Sequence, residues 1–355
     1  MKQTIDVLVV DDSAFMRQAI SQMLESEPQV RVVGTARTGE EALVKAAQLR
    51  PDVVTMDVEM PGMGGLEAVR QLAADGRIAV VMVSSLTREG AETTFRALEL
   101  GALDFIAKPD AAYANIKEVA RDLVAKVRAL ARRAVAPSAA AGAVAGSAAP
   151  RRSAKTLRSR FECVAVGTST GGPVALARVV PLLPSDFPMP ILIVQHMPVG
   201  FTRPLANHLN GQSRLHVSEA TGGEILQSGT ALVIPSGRQV RLVRSLREVE
   251  LRLVDDDGRS LHVPSVDVLA EQVADAFGAQ GVGVILTGMG QDGVKGLRKL
   301  KSRGGYVIGQ DESTSVVYGM PRAAADAGLV DRVVPLGEVA QVLSELAPGS
   351  NHTNS

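Results

Sequence analysis

Between residues 5 and 130 the chain switches five times from a short apolar run to a longer amphipathic one, and few folds accept that rhythm. The pattern predicts strands over 5–10, 30–34, 53–56, 79–83 and 103–107, and helices over 15–24, 40–49, 65–72, 91–100 and 116–130. Strands joined through helices run parallel, and their unbroken apolar runs need cover on both faces. Polar residues sit where such a sheet gathers them. Asp11 and Asp12 follow the first run, Asp57 the third, Ser84 the fourth, and Lys108 the fifth, just before Pro109. In an open parallel sheet these strand ends line one crevice. Any one Asp could simply cap the next helix; a whole set at matching strand ends points to a shared task. A hard cation such as Mg2+ relieves the repulsion among carboxylates and can accept a phosphoryl oxygen, which makes Asp57 a candidate phosphoryl acceptor.

These residues resemble the receiver domain of two-component response regulators, a flavodoxin-like α/β fold. The resemblance implies Mg2+ held by Asp11, Asp12 and Asp57, phosphorylation of Asp57, Ser84 and Phe105 as a switch pair, and Lys108 contacting the phosphoryl group. One departure is PGMGG, where many receivers carry Asp at the place of Gly64. It is expected to change a loop, not the chemistry.

A second constrained stretch, FECVAVGTSTGGP over 161–173, is a buried strand that breaks into a tight turn. Gly167, Gly171 and Gly172 permit sharp turning and close approach, with Ser169 at the centre. A nucleophile elbow, a phosphate loop and a plain structural turn all fit the glycines. Partners for Ser169 bear on the choice. The run 190–194 leads into Gln195-His196, and the run 282–286 into TGMGQDG, which holds Met289 and Asp292 and precedes a helical pattern over 294–300. Ser169, His196 and Asp292 thus each lie just past a buried strand. An imidazole can take a serine proton, a carboxylate can hold the other ring nitrogen, and backbone N–H groups can hold an oxyanion. Of the five histidines, only His196 follows such a run; His208, His216, His262 and His352 read as exposed or structurally bonded. The order Ser, His, Asp differs from that of α/β-hydrolases. Ser169 also stands where a dinucleotide-binding GxGxxG needs glycine.

Composition narrows the class. The chain has 355 residues, enough for two cores, with 38 basic against 38 acidic residues. That balance speaks against nucleic-acid binding. A single cysteine, Cys163, fits a reducing compartment and excludes a thiolate zinc site. The start lacks a targeting pattern, so the mature chain is expected to begin near Met1, and no run has the length of a membrane span. From 129 to 150 the sequence is mostly Ala with Gly, Ser and Pro, a composition for a flexible linker.

The segments VGTSTGGP, QHMP, GFTRPLA, PSVDVL, TGMGQDG and QDESTSVVYGMP, in this order behind a receiver, resemble the CheB family of chemotaxis protein-glutamate methylesterases. This resemblance implies a receiver over 1–126, a helix end and linker over 127–160, a doubly wound, mainly parallel α/β catalytic domain with a β-hairpin over 161–347, and a disordered tail over 348–355. It implies Ser169 as nucleophile, His196 as base and acid, Asp292 as its orienting carboxylate, and Thr170 and Met289 at the oxyanion wall. One departure is PSGRQVRL, which lacks a pattern common in the family, so no task is assigned to it. Further implications are methyl-accepting chemoreceptors as substrate, with demethylation and glutamine deamidation, a chemotaxis histidine kinase as phosphodonor, a cytoplasmic location, and no cofactor for the esterase step. Two other outputs remain open: a DNA-binding one, for which no basic helix-turn-helix is visible, and a non-catalytic docking one, against which the intact Ser169, His196 and Asp292 stand.

Overall fold

The computed structural model describes residues 4–74, 76–85, 87–108, 116–134 and 161–348. Its first part alternates β1 (Ile5–Val10), α1 (Ala14–Glu25), β2 (Val30–Ala36), α2 (Gly39–Leu49), β3 (Val53–Asp57), α3 (Gly64–Ala73), β4 (Ala79–Ser84), α4 (Arg88–Glu99), β5 (Asp104–Ala107) and α5 (Ile116–Ala134). The five strands form one parallel sheet in the order β2-β1-β3-β4-β5. Alternate residues of each strand serve opposite faces. Leu8, Val10, Met56 and Met82 enter one core, while Val7, Val9, Val53, Val81 and Val83 enter the other. Such runs can sit only in a doubly covered sheet. Helix starts carry side-chain caps: Ser13, Thr38 and Thr87 each accept from a backbone N–H in the first turn of the next helix.

Helix α5 runs on to Ala134, so the Ala-rich stretch expected as linker from 129 begins inside a helix. Alanine and arginine are both strong helix formers, and α5 carries them through its last turns. The remainder of the expected linker, 135–160, and the tail from 349 lie outside the described residues.

The second part contains β6 (Cys163–Thr168), α6 (Gly172–Val179), β7 (Ile191–Gln195), α7 (Thr202–Gln212), β8 (His216–Glu219), β9 (Glu224–Ile225), β10 (Thr230–Val233), β11 (Gln239–Arg244), β12 (Val249–Val254), α8 (Val266–Phe277), β13 (Gly281–Ile285), α9 (Val294–Ser302), β14 (Tyr306–Gln310), α10 (Met320–Asp326), β15 (Arg332–Val334) and α11 (Val339–Leu346). Seven strands form a parallel sheet in the order β15-β14-β13-β6-β7-β10-β8. Strands β11 and β12 make the expected hairpin, with β9 as a third antiparallel strand. Winding proceeds outward from β6 in both directions, so β7 and β13 flank it and the sheet has its switch point there. Ligand sites of open α/β sheets form at that place.

The two parts share an apolar contact. Phe105 of β5 meets Phe201, just before α7, with ring centroids 4.6 Å apart, and Phe95 of α4 meets Phe105 at 6.1 Å. All three rings are buried to within 1%. Burying each contributes about 1.5–3 kcal/mol, so this seam holds the receiver against the second part.

Candidate active site

Because β6, β7 and β13 are neighbours, the residues just past their ends come together. Ser169 follows β6, and its N–H donates to the Thr287 carbonyl at 3.0 Å. The turn closes when the Gly172 N–H donates to the Ser169 carbonyl at 2.8 Å. Gly171 has φ +76°, and a Cβ there would lie 2.5 Å from Val316, so glycine is required on both counts. A Cβ on Gly172 would fall 1.9 Å from Gln195 Oε1. Gln195 is buried at the end of β7 and donates from Nε2 to the Ser169 carbonyl at 2.9 Å and the His196 carbonyl at 2.8 Å. That amide ties the serine turn to the histidine turn.

His196 Nε2 lies 2.8 Å from Asp292 Oδ2. Asp292 has three further donors: Val266 N at 2.7 Å on the same oxygen, and Ser265 Oγ at 2.9 Å and Asp267 N at 3.0 Å on Oδ1. The carboxylate therefore sits on the N-terminus of α8, where unpaired N–H groups favour an anion. Burial alone would push the Asp292 carboxyl up, but hydrogen bonds from His196, Val266 and Asp267 outweigh it and hold the group well below the usual carboxylate range. Asp267 answers in kind, accepting from Gly293 N at 3.0 Å and Gly296 N at 2.8 Å at the start of α9. Each helix start is thus capped by a carboxylate from the other, which locks Asp292 in place.

His196 Nδ1 is buried and has no hydrogen-bond partner among the described residues, so no bond joins it to Ser169 in this resting arrangement. With Nε2 on Asp292, Nδ1 is the nitrogen left for a proton from Ser169. Thr170 Oγ1 is likewise buried without a partner, and Thr287 Oγ1 donates to the Thr170 carbonyl at 2.9 Å. Met289 is half-buried in the loop after β13, beside Gly288, whose Cβ would stand 2.9 Å from Ser169 Cβ. The structure therefore brings Ser169, Thr170, His196, Met289 and Asp292 to one place.

Two neighbours lack a signal in the sequence. His262 is exposed, as expected, yet its ring stacks on His196 with centroids 4.1 Å apart and planes 20° apart. Ser265 caps α8 and also binds Asp292. Only the motif PSVD, with a serine ahead of a helix, hints at the second.

The receiver's strand ends also converge. Carboxylate oxygens of Asp11, Asp12 and Asp57 lie within 4.8 Å of one another. Asp11 and Asp57 are buried, and Lys108 Nζ approaches them at 3.0 and 2.7 Å. Among the described residues Asp11 Oδ2 and Asp57 Oδ2 have no hydrogen bond of sound geometry, only this ion pairing. Buried oxygens short of donors suit a divalent cation, so the residues fit Mg2+. Burial, then the Asp11 charge, pushes the Asp57 carboxyl from 3.8 up to about 6, against the pull of Lys108. Ser84 Oγ donates to the Gly90 carbonyl at 3.1 Å and accepts from Thr94 Oγ1 at 2.7 Å, which ties it to α4. Phe105, the other residue expected to act in the switch, points into the seam beside Phe201.

A raised carboxyl loses stability as it ionises. The cost at Asp57 is absent at acid pH and complete once pH exceeds its value of about 6. Asp57→Asn is therefore expected to stabilise the metal-free receiver near neutrality by about 1–3 kcal/mol, with no gain at acid pH. Urea unfolding across that range checks this. Mg2+ is expected to stabilise the wild type and not the variant.

The receiver reaches the serine turn. A cavity of about 120 Å³ lies between Leu98 and Leu103 on one side and Gly171, Thr287 and Val316 on the other. Lys126 of α5 is buried against β5, donating to the Phe105 carbonyl at 2.7 Å and standing 3.5 Å from Asp104. On α7, His208 stacks on Phe95 at 5.5 Å and lies 3.5 Å from Glu99. No helix among the described residues is long and apolar enough to cross a membrane.

Comparison with known proteins finds similarity for both parts of the chain. Residues 7–120 match the response regulator receiver domain and residues 164–343 match CheB methylesterase. A protein-glutamate methylesterase/protein-glutamine glutaminase of Geobacillus kaustophilus is 45% identical over 97% of this chain and 99% of its own. Another, of Halalkalibacterium halodurans, is 46% identical over 96% of this chain and 97% of its own. The crystal structure of the Thermotoga maritima CheB methylesterase catalytic domain is 40% identical, covers 53% of this chain and 99% of its own, and superposes with a TM-score of 0.52. The chain belongs to the CheB methylesterase family, with a response regulator receiver domain ahead of its methylesterase domain.

Proposed function

We propose that this protein hydrolyses γ-glutamyl methyl esters on chemoreceptors and deamidates receptor glutamines, using Ser169, His196 and Asp292, under control of the receiver. The observation that carries this is the Asp292–His196 pair, joined at 2.8 Å on the strand turns that flank the Ser169 turn. Ser169 Oγ attacks the side-chain carbonyl while its proton passes to His196 Nδ1. Asp292 stays ionised, held so by its N–H donors, and stabilises the imidazolium. The tetrahedral oxyanion would lie against the backbone N–H groups of Thr170 and Met289. Collapse breaks the C–O or C–N bond, and His196 returns its proton to the departing methanol or ammonia. Water, deprotonated by His196, then releases the glutamate carboxylate and Ser169.

The cytoplasmic chemotaxis histidine kinase supplies the phosphoryl group in this reading. Asp11, Asp12 and Asp57 would hold Mg2+, which when bound neutralises charge on the incoming phosphoryl group. Asp57 is the acceptor, and Lys108, now paired with it at 2.7 Å, is free to turn to the phosphoryl oxygens. Moving Lys108 and Ser84 loosens the β5–α4 surface that carries Phe105 and Phe95. The closed population falls and the serine turn opens.

Methanol release from methylated receptors, with Mg2+ and a small phosphodonor, tests the catalytic assignment. Ser169→Ala is expected to lower kcat at least about 10³-fold with folding intact. Equal rates would sink the nucleophile.

A further inference from the structure

The stretch PSGRQVRL, which the sequence left without a task, leads into β11, and its Gln239 is only 4% exposed. Both ends of that amide are used. Nε2 donates to the His262 carbonyl at 3.1 Å and to Asp256 Oδ1 at 3.1 Å, while Oε1 accepts from Ser265 N at 3.0 Å. Gly237 N adds a bond to the Val263 carbonyl at 3.0 Å. The loop between β12 and α8 is thereby strapped at both sides of His262. A buried amide that satisfies three separate backbone and side-chain groups fixes a loop far more narrowly than apolar contact would.

What the strap delivers is a ring. His262 lies face to face with His196, 4.1 Å between centroids and 20° between planes, and is otherwise exposed. Nothing in the core demands an imidazole there. Ser265, in the same strap, binds Asp292 at 2.9 Å. The carboxylate that holds one nitrogen of His196 and the ring that covers its face therefore depend on one segment. A single hydrogen bond at Nε2 leaves an imidazole free to swing, because its terminal torsion is broad; a ring against its face removes that freedom.

We propose that His262 is a positioning residue for the esterase step: strapped by Gln239, its ring sets the plane of His196 so that Nδ1 is presented to the Ser169 turn while Nε2 keeps Asp292. This rests on the reading of His196 as base. The task needs a flat ring and no charge. Partial enclosure of the ring against His196, and then repulsion from any charge on His196, hold His262 below the usual histidine range, so His262 itself brings an uncharged ring to the stack near neutrality.

The test uses the full chain, Mg2+ and a small phosphodonor, with kcat and KM for methanol release from methylated chemoreceptor membranes. His262→Ala is expected to lower kcat about tenfold with KM changed less than about twofold, since substrate contacts are untouched. His262→Phe keeps a flat ring and is expected to return kcat to within about threefold of wild type. Wild-type kcat in the alanine variant, or a phenylalanine variant no better than alanine, would overturn the proposal. The underlying reading fails separately: His196→Ala at the wild-type rate removes the base itself, whatever His262 does.

Discussion

Asp292→Asn is expected to lower kcat for methanol release by about 10³–10⁴-fold while KM stays within a small factor. Asp292 accepts from His196, Val266, Ser265 and Asp267 at 2.7–3.0 Å. An amide cannot answer four donors: its NH2 would face N–H groups at the start of α8, and its neutral oxygen would not stabilise imidazolium. The effect extends to stability. The folded carboxyl lies below its ordinary value, so its contribution is fully present above the ordinary carboxylate range and fades as pH falls through the lower, folded value. Near neutrality the substitution is expected to cost about 2–4 kcal/mol, because buried N–H donors lose a charged acceptor. Urea unfolding near neutral and strongly acid pH should show the gap shrinking with acid. A variant with wild-type kcat would remove Asp292 from the catalytic machinery.

The second large effect concerns control. His208→Glu places a carboxylate beside Glu99, which already takes a hydrogen bond from Gln212, and removes the ring stacked on Phe95. Two like charges facing each other in a half-buried seam cost at least about 1.4 kcal/mol, which is tenfold in the open population. Methanol release without phosphodonor should rise at least about tenfold, while the fully phosphorylated rate stays near that of wild type. An unchanged basal rate would mean that the α4–α7 contact does not restrain the enzyme.

What could be read from sequence was whatever the chain keeps local. Strand-end chemistry is local: Asp57, Lys108, Ser169 and His196 each abut an apolar run, and parallel topology alone brings such ends together. Asp292 lies several residues past its strand but sits in a glycine-marked turn, which served as well. Contacts made by folding across loops left no trace. His262 stands in HVPSVDVL with no periodicity to mark it, and its place over His196 depends on Gln239, 23 positions earlier. The exchange of caps between Asp292 and Asp267 needs α8 and α9 side by side, which no local pattern states. The seam is hidden for another reason: Phe95 and His208 look like ordinary members of amphipathic helices until α4 meets α7. Helix α5 outran its expected end because Ala-rich sequence suits a helix as well as a linker.

The most direct test of the account is a serine-directed fluorophosphonate, with the labelled residue found by mass spectrometry. The account predicts a single adduct on Ser169, formed faster when Mg2+ and phosphodonor are present, slowed by Asp292→Asn, and insensitive to phosphodonor in Asp57→Asn. Labelling at another residue, or at Ser169 with a rate indifferent to phosphorylation, would contradict it.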